Sequence, residues 1–122
     1  MNPADIYRRN MVAAPAHTLL AKLHEQAGIF TQQVAQFARE GNVETARKHI
    51  QYVQDIITFL RSSLDMTLEA SQRTDVVYAY YYNVLVKWYL DVERIPDEFA
   101  VMLEFWQSWA TTWTKVPSRS MP

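Results

Sequence analysis

The chain has 122 residues, a length typical of one domain that buries an ordinary core without covalent cross-links. It has no cysteine, which excludes disulfides and thiolate metal sites, and its net charge of −1 gives no electrostatic footprint for nucleic acid. The two glycines and the scarcity of turn dipeptides argue against a many-stranded β fold. We therefore expect one all-α domain over residues 1–122.

The polar N-terminus has no apolar core of signal-peptide length, and no stretch reaches the ~20 apolar residues that a membrane span needs. The sequence thus predicts a cytoplasmic protein without membrane insertion. Residues 1–15 form an N-terminal segment with no periodicity of its own.

The first helix is predicted over residues 16–39, where Pro15 suits its start and Gly41 its termination. Apolar residues recur there at spacings of three and four and form one continuous row. That row consists of Ala16, Leu20, Leu23, Ala27, Phe30, Val34 and Phe37.

The second helix is predicted over residues 43–64, with Asn42 as its N-cap. After a polar joint, the third is predicted over about 75–91 and the fourth over 97–114. Pro96, Asp97 and Glu98 are typical of a helix start, because acidic groups favour the positive end of the helix dipole. Residues 115–122 are predicted to be a frayed tail. The short joints predict an antiparallel up-and-down four-helix bundle with a short N-terminal cap segment.

The third and fourth helices each carry more apolar surface than one broad bundle-facing stripe requires. On the third, one row is Val77, Tyr81, Val84 and Trp88, and a second row is Tyr78, Tyr82, Leu85 and Tyr89. On the fourth, Met102, Phe105 and Trp109 lie beside the row of Phe99, Leu103, Trp106, Ala110 and Trp113. Two interpretations stay open. Both rows belong to a wide core, or one row forms a partner surface in a groove between these helices. The pattern does not decide which row faces inward.

No catalytic, metal or cofactor site is predicted. His24 opens the stretch His-Glu-Gln-Ala-Gly, which lacks the second histidine of a zinc protease helix, and no Glu-x-x-His pair or glycine-rich phosphate loop is present. We therefore expect a protein that is not an enzyme and that needs no cofactor.

One alternative bundle function centres on His17. The stretch Ala16-His17-Thr18-Leu19-Leu20 faintly resembles the phosphorelay motif of histidine phosphotransfer domains. Those domains have a lysine and a glycine three and four residues after the histidine, where this chain has Leu20 and Ala21. Without a nearby cation a phosphoryl group loses its electrostatic support, which makes this alternative the weakest.

Several short motifs resemble the flagellin-specific export chaperones of bacterial flagella. They are Tyr7-x-x-Asn10-x-Val12, Ile56-Ile57-x-x-Leu60-x-x-Ser63-Leu64-Asp65, Tyr78-x-Tyr80 followed by Leu85, and Trp109. The joint before the third helix lacks the family's paired glycines, which marks a divergent member. The resemblance covers about residues 7–113.

The resemblance implies a cytoplasmic helical bundle that binds the C-terminal amphipathic segment of flagellin, prevents its premature polymerisation and keeps it fit for the flagellar export gate. Combined with the surplus apolar rows, it predicts partner contacts at Tyr7, Tyr78, Tyr82, Leu85, Tyr89, Met102, Phe105 and Trp109. Tyr7 is interpreted as a movable flap over the groove. The rival hypothesis is a self-associating bundle or adaptor whose second row is a homodimer interface, because such interfaces favour the same residue types.

Overall fold

Four helices form the part of the chain that a computed structural model describes, which is residues 16–115, with side chains from residue 18 to residue 113. They are α1 (Ala16–Arg39), α2 (Val43–Ser62), α3 (Glu69–Leu90) and α4 (Ile95–Lys115), and a 3-10 turn (Val92–Arg94) precedes α4. The predicted all-α four-helix bundle is confirmed. The predicted cap segment, residues 1–15, lies outside the described residues. Of the tail predicted over residues 115–122, Lys115 is the last residue of α4 and residues 116–122 lie outside the described residues.

The α1–α2 turn is set by Gly41 and Asn42. Gly41 adopts φ +73°, the left-handed conformation that glycine reaches without a Cβ clash. The Gly41 and Asn42 amides donate to the carbonyls of Ala38 and Phe37 at 3.1 and 2.9 Å, which is the Schellman pattern of helix termination. The Asn42 side chain then accepts from the Thr45 amide and caps α2.

The third helix begins at Glu69 and not at the predicted position near Asp75. Its first two turns are polar and largely exposed, so they carry no apolar periodicity for a sequence pattern to detect. The preceding joint is ordered by Asp65, whose carboxylate accepts from the Thr67 amide and hydroxyl at 3.1 and 2.6 Å. Other differences are small: α2 ends two residues earlier than predicted, and α4 starts two residues earlier.

The core runs through the middle of the bundle and draws on all four helices. Spacings of three and four predict an apolar row on α2 that consists of Val43, Ala46, Ile50, Val53, Ile57, Leu60 and Leu64. Its five middle members are buried, whereas Val43 at its start is exposed and Leu64 lies past the end of the helix. Helix α1 packs closely along both α2 and α4, whereas α3 packs closely only against α2. Large rings fill the space between α3 and α4, where Tyr81 stacks on Phe105 with ring centroids 4.3 Å apart. Side chains of this size hold the two helix backbones apart.

Candidate functional site

The outer face of α3 is apolar although it faces solvent. Val76, Tyr80 and Leu90 are 68%, 62% and 75% exposed, and Val101 on α4 is 67% exposed. On the same face of α3, Asn83 and Lys87 are the polar residues. Apolar exposure this concentrated on neighbouring helices is typical of an interaction surface.

A groove of about 410 Å³ lies between α3 and α4 beside this face. It is lined by Tyr80, Tyr81, Val84, Lys87, Trp88, Arg94, Asp97, Glu98, Val101 and Met102. The tyrosines and valines form an apolar part, and the charged residues form the end nearest the α3–α4 joint. Two of those charges are already engaged. Arg94 lies 3.5 Å from Glu98, and Glu98 accepts a hydrogen bond from the Trp88 indole at 3.0 Å.

A second, smaller groove of about 220 Å³ lies on the other side of α3, against α2. Gln51 and Gln54 of α2 and Val86, Tyr89 and Leu90 of α3 line it. Arg47 of α2 contacts Tyr89 at the edge of this groove. Its guanidinium lies 5.0 Å from the Tyr89 ring centroid and donates to the Tyr89 carbonyl at 2.9 Å. Apolar side chains of α3 therefore line both grooves.

The sequence-predicted partner residues mostly lie beneath this surface. Tyr78, Leu85 and Met102 are fully buried, Phe105 is nearly so, and Tyr82, Tyr89 and Trp109 are half-buried against the core. Among the described members of the set, Met102 lines the larger groove and Tyr89 the smaller one. Tyr7 lies outside the described residues.

The structure brings three of the predicted residues into one aromatic cluster. Tyr78 lies 5.4 Å from Trp109 and 6.4 Å from Phe105, and Phe105 lies 4.5 Å from Trp109, all between ring centroids. Tyr89 stands apart and meets Arg47 of α2. Tyr78 therefore faces α1 and α4, and Tyr89 faces α2. Tyr81, Val84 and Trp88 line the groove between α3 and α4.

Sequence reasoning missed the exposed residues Val76, Tyr80, Leu90 and Val101. They were overlooked because the two rows on α3 already absorbed most of its apolar positions. A signal was present: Val76, Tyr80, Asn83, Lys87 and Leu90 follow each other at spacings of four, three, four and three, which makes them a third row.

The sequence also did not indicate the role of His24. Its ring is buried, with Nδ1 2.7 Å from the Leu20 carbonyl oxygen and Nε2 2.8 Å from the Tyr78 hydroxyl oxygen. A carbonyl only accepts, so Nδ1 carries the proton and the neutral Nε2 accepts from Tyr78. Burial lowers the pKa of His24 to about 4, although the Leu20 hydrogen bond partly opposes that shift. This buried hydrogen bond joins α1 to α3 across the bundle.

The described residues offer no site for metal chemistry. Between residues 16 and 115, no group of three or more His, Asp or Glu side chains is placed to hold an ion. None of the four described helices is long and apolar enough to cross a membrane.

Burial raises the pKa of Tyr78, so its phenol stays protonated and donates to His24.

Fold and surface together define a helical bundle that presents an uncovered apolar groove. The family model of the flagellar protein FliS matches residues 1–120, and the chain therefore belongs to that family. This is a family of flagellar export chaperones and not of enzymes. No curated protein matches the chain, and no solved structure matches it. The family match favours a chaperone over the phosphotransfer alternative, whose His17 has no described side chain.

Proposed function

We propose that this chain is a cytoplasmic chaperone that binds the C-terminal amphipathic segment of flagellin, prevents its premature polymerisation and hands it to the flagellar export gate. Membership of the FliS family supports the chaperone role and a protein partner. The segment of flagellin, the cytoplasmic setting and the export gate are the proposal's own additions.

The exposed apolar face that borders the α3–α4 groove carries the proposal. Val76, Tyr80 and Val101 remain largely exposed although the bundle core is complete without them. A disordered amphipathic segment becomes helical when its apolar face is covered, and a groove between two helices is a common receptor for such a helix. The groove length between Tyr80 and Trp88 spans about two helical turns.

Charge at one end of the groove gives the bound helix a preferred register. Arg94 and Glu98 are already engaged with each other, whereas Lys87 and Asp97 form no ion pair within the described residues. A partner with an apolar face and opposite charges near that end would complement both. Rim charges of this kind act more on association rate and specificity than on affinity.

The partner contacts predicted from the sequence remain part of the proposal in altered form. Tyr89 lines the smaller groove and is half-buried, so a partner can reach it without rearrangement, whereas Met102 borders the main groove but is itself buried. Tyr78, Tyr82, Leu85, Phe105 and Trp109 lie below or beside the grooves and support their walls. Tyr7 stays a prediction as a flap residue.

The direct test is calorimetric titration with a C-terminal flagellin fragment from the same organism. Tyr80→Ala should weaken binding by about 1–3 kcal/mol if Tyr80 is an anchor, because exposed aromatic side chains at interface centres carry much of the affinity. The thermal unfolding midpoint should hardly change, since Tyr80 is mostly exposed.

Two valines provide a matched pair for the same titration. Val101→Asp places a charge in the groove and should weaken binding at least tenfold. Val43→Asp is the control, because Val43 is also exposed but lies in the first turn of α2, away from the groove and where a carboxylate is favourable. Equal effects of the two variants would contradict the proposed site.

Sedimentation of the free chain tests the homodimer rival. A tight dimer that shows no heat with the flagellin fragment would overturn the proposed function and assign the apolar face to self-association. A monomer that binds the fragment with one-to-one stoichiometry supports the chaperone.

A further inference from the structure

Helix α3 is attached to the bundle differently from the other three helices. Helix α1 packs along α2 and α4 at close backbone approach, whereas α3 and α4 meet through side chains. Three residues of α3 are fully buried (Tyr78, Leu85 and Trp88), compared with six in the shorter α2. Helices α1, α2 and α4 thus form a tight unit, and α3 covers its open side.

A small set of polar contacts holds α3 in place. Within the described residues these are Tyr78 to His24 at 2.8 Å, Asp75 to Arg61 at 2.7 and 3.2 Å, the Tyr89 carbonyl to Arg47 at 2.9 Å, and Trp88 to Glu98 at 3.0 Å. The Tyr78–His24 bond is the buried one. The four contacts lie at separate positions along α3, from Asp75 to Tyr89.

The surface under α3 is apolar and suited to a partner. Phe105 contacts both Tyr78 and Tyr81 of α3, and Trp109 contacts Tyr78. Met102 lies at the floor of the α3–α4 groove, where this covered surface begins. A segment bound in that groove already touches the edge of the α3–α4 contact.

From Val76 onward, α3 also carries apolar side chains on its outer face. Val76, Tyr80 and Leu90 lie on the solvent side, and Tyr78 and Leu85 lie on the core side. A helix with a single apolar stripe can bury apolar surface only on the side that faces the bundle. Helix α3 carries apolar side chains on its inner and its outer face, so it can make apolar contacts after an outward movement as well. Displacement by an amphipathic segment therefore exchanges one apolar contact for another.

We propose that α3 is a displaceable helix. In the free protein it covers Phe105 and Trp109, and a bound partner segment moves it outward and packs against these residues together with Met102. The inference rests on the proposed function for the identity of the partner, but the mobility of α3 is a property of the free chain. It assigns the predicted contacts at Phe105 and Trp109 to the bound state.

Hydrogen exchange of the free protein tests the mobility without any partner. Amides of residues 76–90 should exchange at least tenfold faster than those of residues 23–35 and 50–60, since local opening needs less free energy than global unfolding. Tyr78→Phe removes only the hydroxyl that bonds to His24, and it should speed exchange in α3 about tenfold further. Tyr80→Phe is the matched control and should leave exchange unchanged, because the Tyr80 ring is exposed. Protection of α3 equal to that of α1 and α2 would overturn the proposal.

A covalent lock tests whether binding requires the movement. Because the chain has no cysteine, Arg61→Cys with Asp75→Cys gives a unique pair that a short bis-maleimide can join across α2 and α3. The cross-linked protein should bind the C-terminal flagellin fragment at least tenfold more weakly than the same variant without the cross-link. Phe30→Cys with Tyr52→Cys, whose rings lie 5.2 Å apart across α1 and α2, is the control lock and should have no effect.

The two proposals fail in distinguishable ways. Equal binding by the locked and unlocked variants would overturn the displacement of α3 and leave the flagellin chaperone intact. No binding by the wild-type chain would overturn the proposed function, and hydrogen exchange alone would then decide whether α3 is mobile.

Discussion

Helices α1 and α3 are similar in length and both bury apolar residues, but they differ in the residues that they expose to solvent. Helix α1 buries Leu23, Ala27 and Val34 and exposes polar residues such as Glu25 and Gln32. Helix α3 buries apolar residues too, yet from Val76 onward it also exposes large apolar ones, namely Val76, Tyr80, Val86 and Leu90. One stripe is enough to place a helix in a bundle, so we expect the exposed apolar side chains of α3 to add little to the stability of the single chain.

The two faces of α3 provide the largest expected contrast. Leu85→Ala should cost about 3 kcal/mol in the free energy of unfolding, because Leu85 is fully buried and truncation leaves a cavity. Leu90→Ala, a matched change on the exposed face, should stay within about 0.5 kcal/mol. Urea unfolding of both variants measures the difference, and comparable losses would mean that the exposed face also stabilises the monomer.

Low pH is expected to weaken the contact between α1 and α3 at His24. His24 has a pKa of about 4 in the folded chain against an ordinary value of 6.5, so between these values the unfolded chain binds the extra proton and the folded chain does not. Stability present above pH 6.5 is therefore lost as the pH falls toward 4, by about 3 kcal/mol from this residue.

Urea unfolding at pH 7 and pH 4.5 measures this loss. His24→Gln should show a smaller decrease between the two pH values, since the other titrating groups remain and His24 is gone. An identical decrease in both proteins would remove His24 as the cause.

The turn between α1 and α2 carries the next effect. Gly41→Ala should cost about 1 kcal/mol of unfolding free energy, because φ +73° strains any residue with a Cβ. Asparagine tolerates this conformation better, so Gly41→Asn should cost less than alanine. Thermal unfolding checks the order, and a stabilising Gly41→Ala would contradict the turn geometry.

The smallest effect is expected at the Arg61–Asp75 pair between α2 and α3. Its two hydrogen bonds lie near the surface, so a double-mutant cycle with Arg61→Gln and Asp75→Asn should give a coupling of about 0.5–1 kcal/mol. The hydrogen bond from Arg61 lowers the pKa of Asp75 below its usual 3.8, so this stabilisation is present at neutral pH and is lost only in stronger acid. A coupling that survives at pH 2 would contradict the ion pair.

Much of the fold follows from apolar spacing. The predicted helices coincide with the observed ones at α1 and start correctly at α2, and the predicted row of α2 is buried from Ala46 to Leu60. The predicted start of α3 near Asp75 was wrong, because the helix begins at Glu69. Residues 69–74 are mostly polar and extend past the core, so they show no apolar periodicity from which a helix could be predicted. The site was only partly predictable, since the groove between α3 and α4 exists but its exposed residues differ from those named.

The sequence by itself determined that this chain is all-helical, that its last two helices are rich in apolar residues and that it resembles the flagellar export chaperones. Only the tertiary structure decided which row of α3 meets the core and that His24 bonds to Tyr78. The physical reason is that spacing of three and four defines rows on a helix but not its rotation about its own axis. When more than one row is apolar, that rotation is chosen by how the rings of Tyr78, Tyr81, Phe105 and Trp109 pack together.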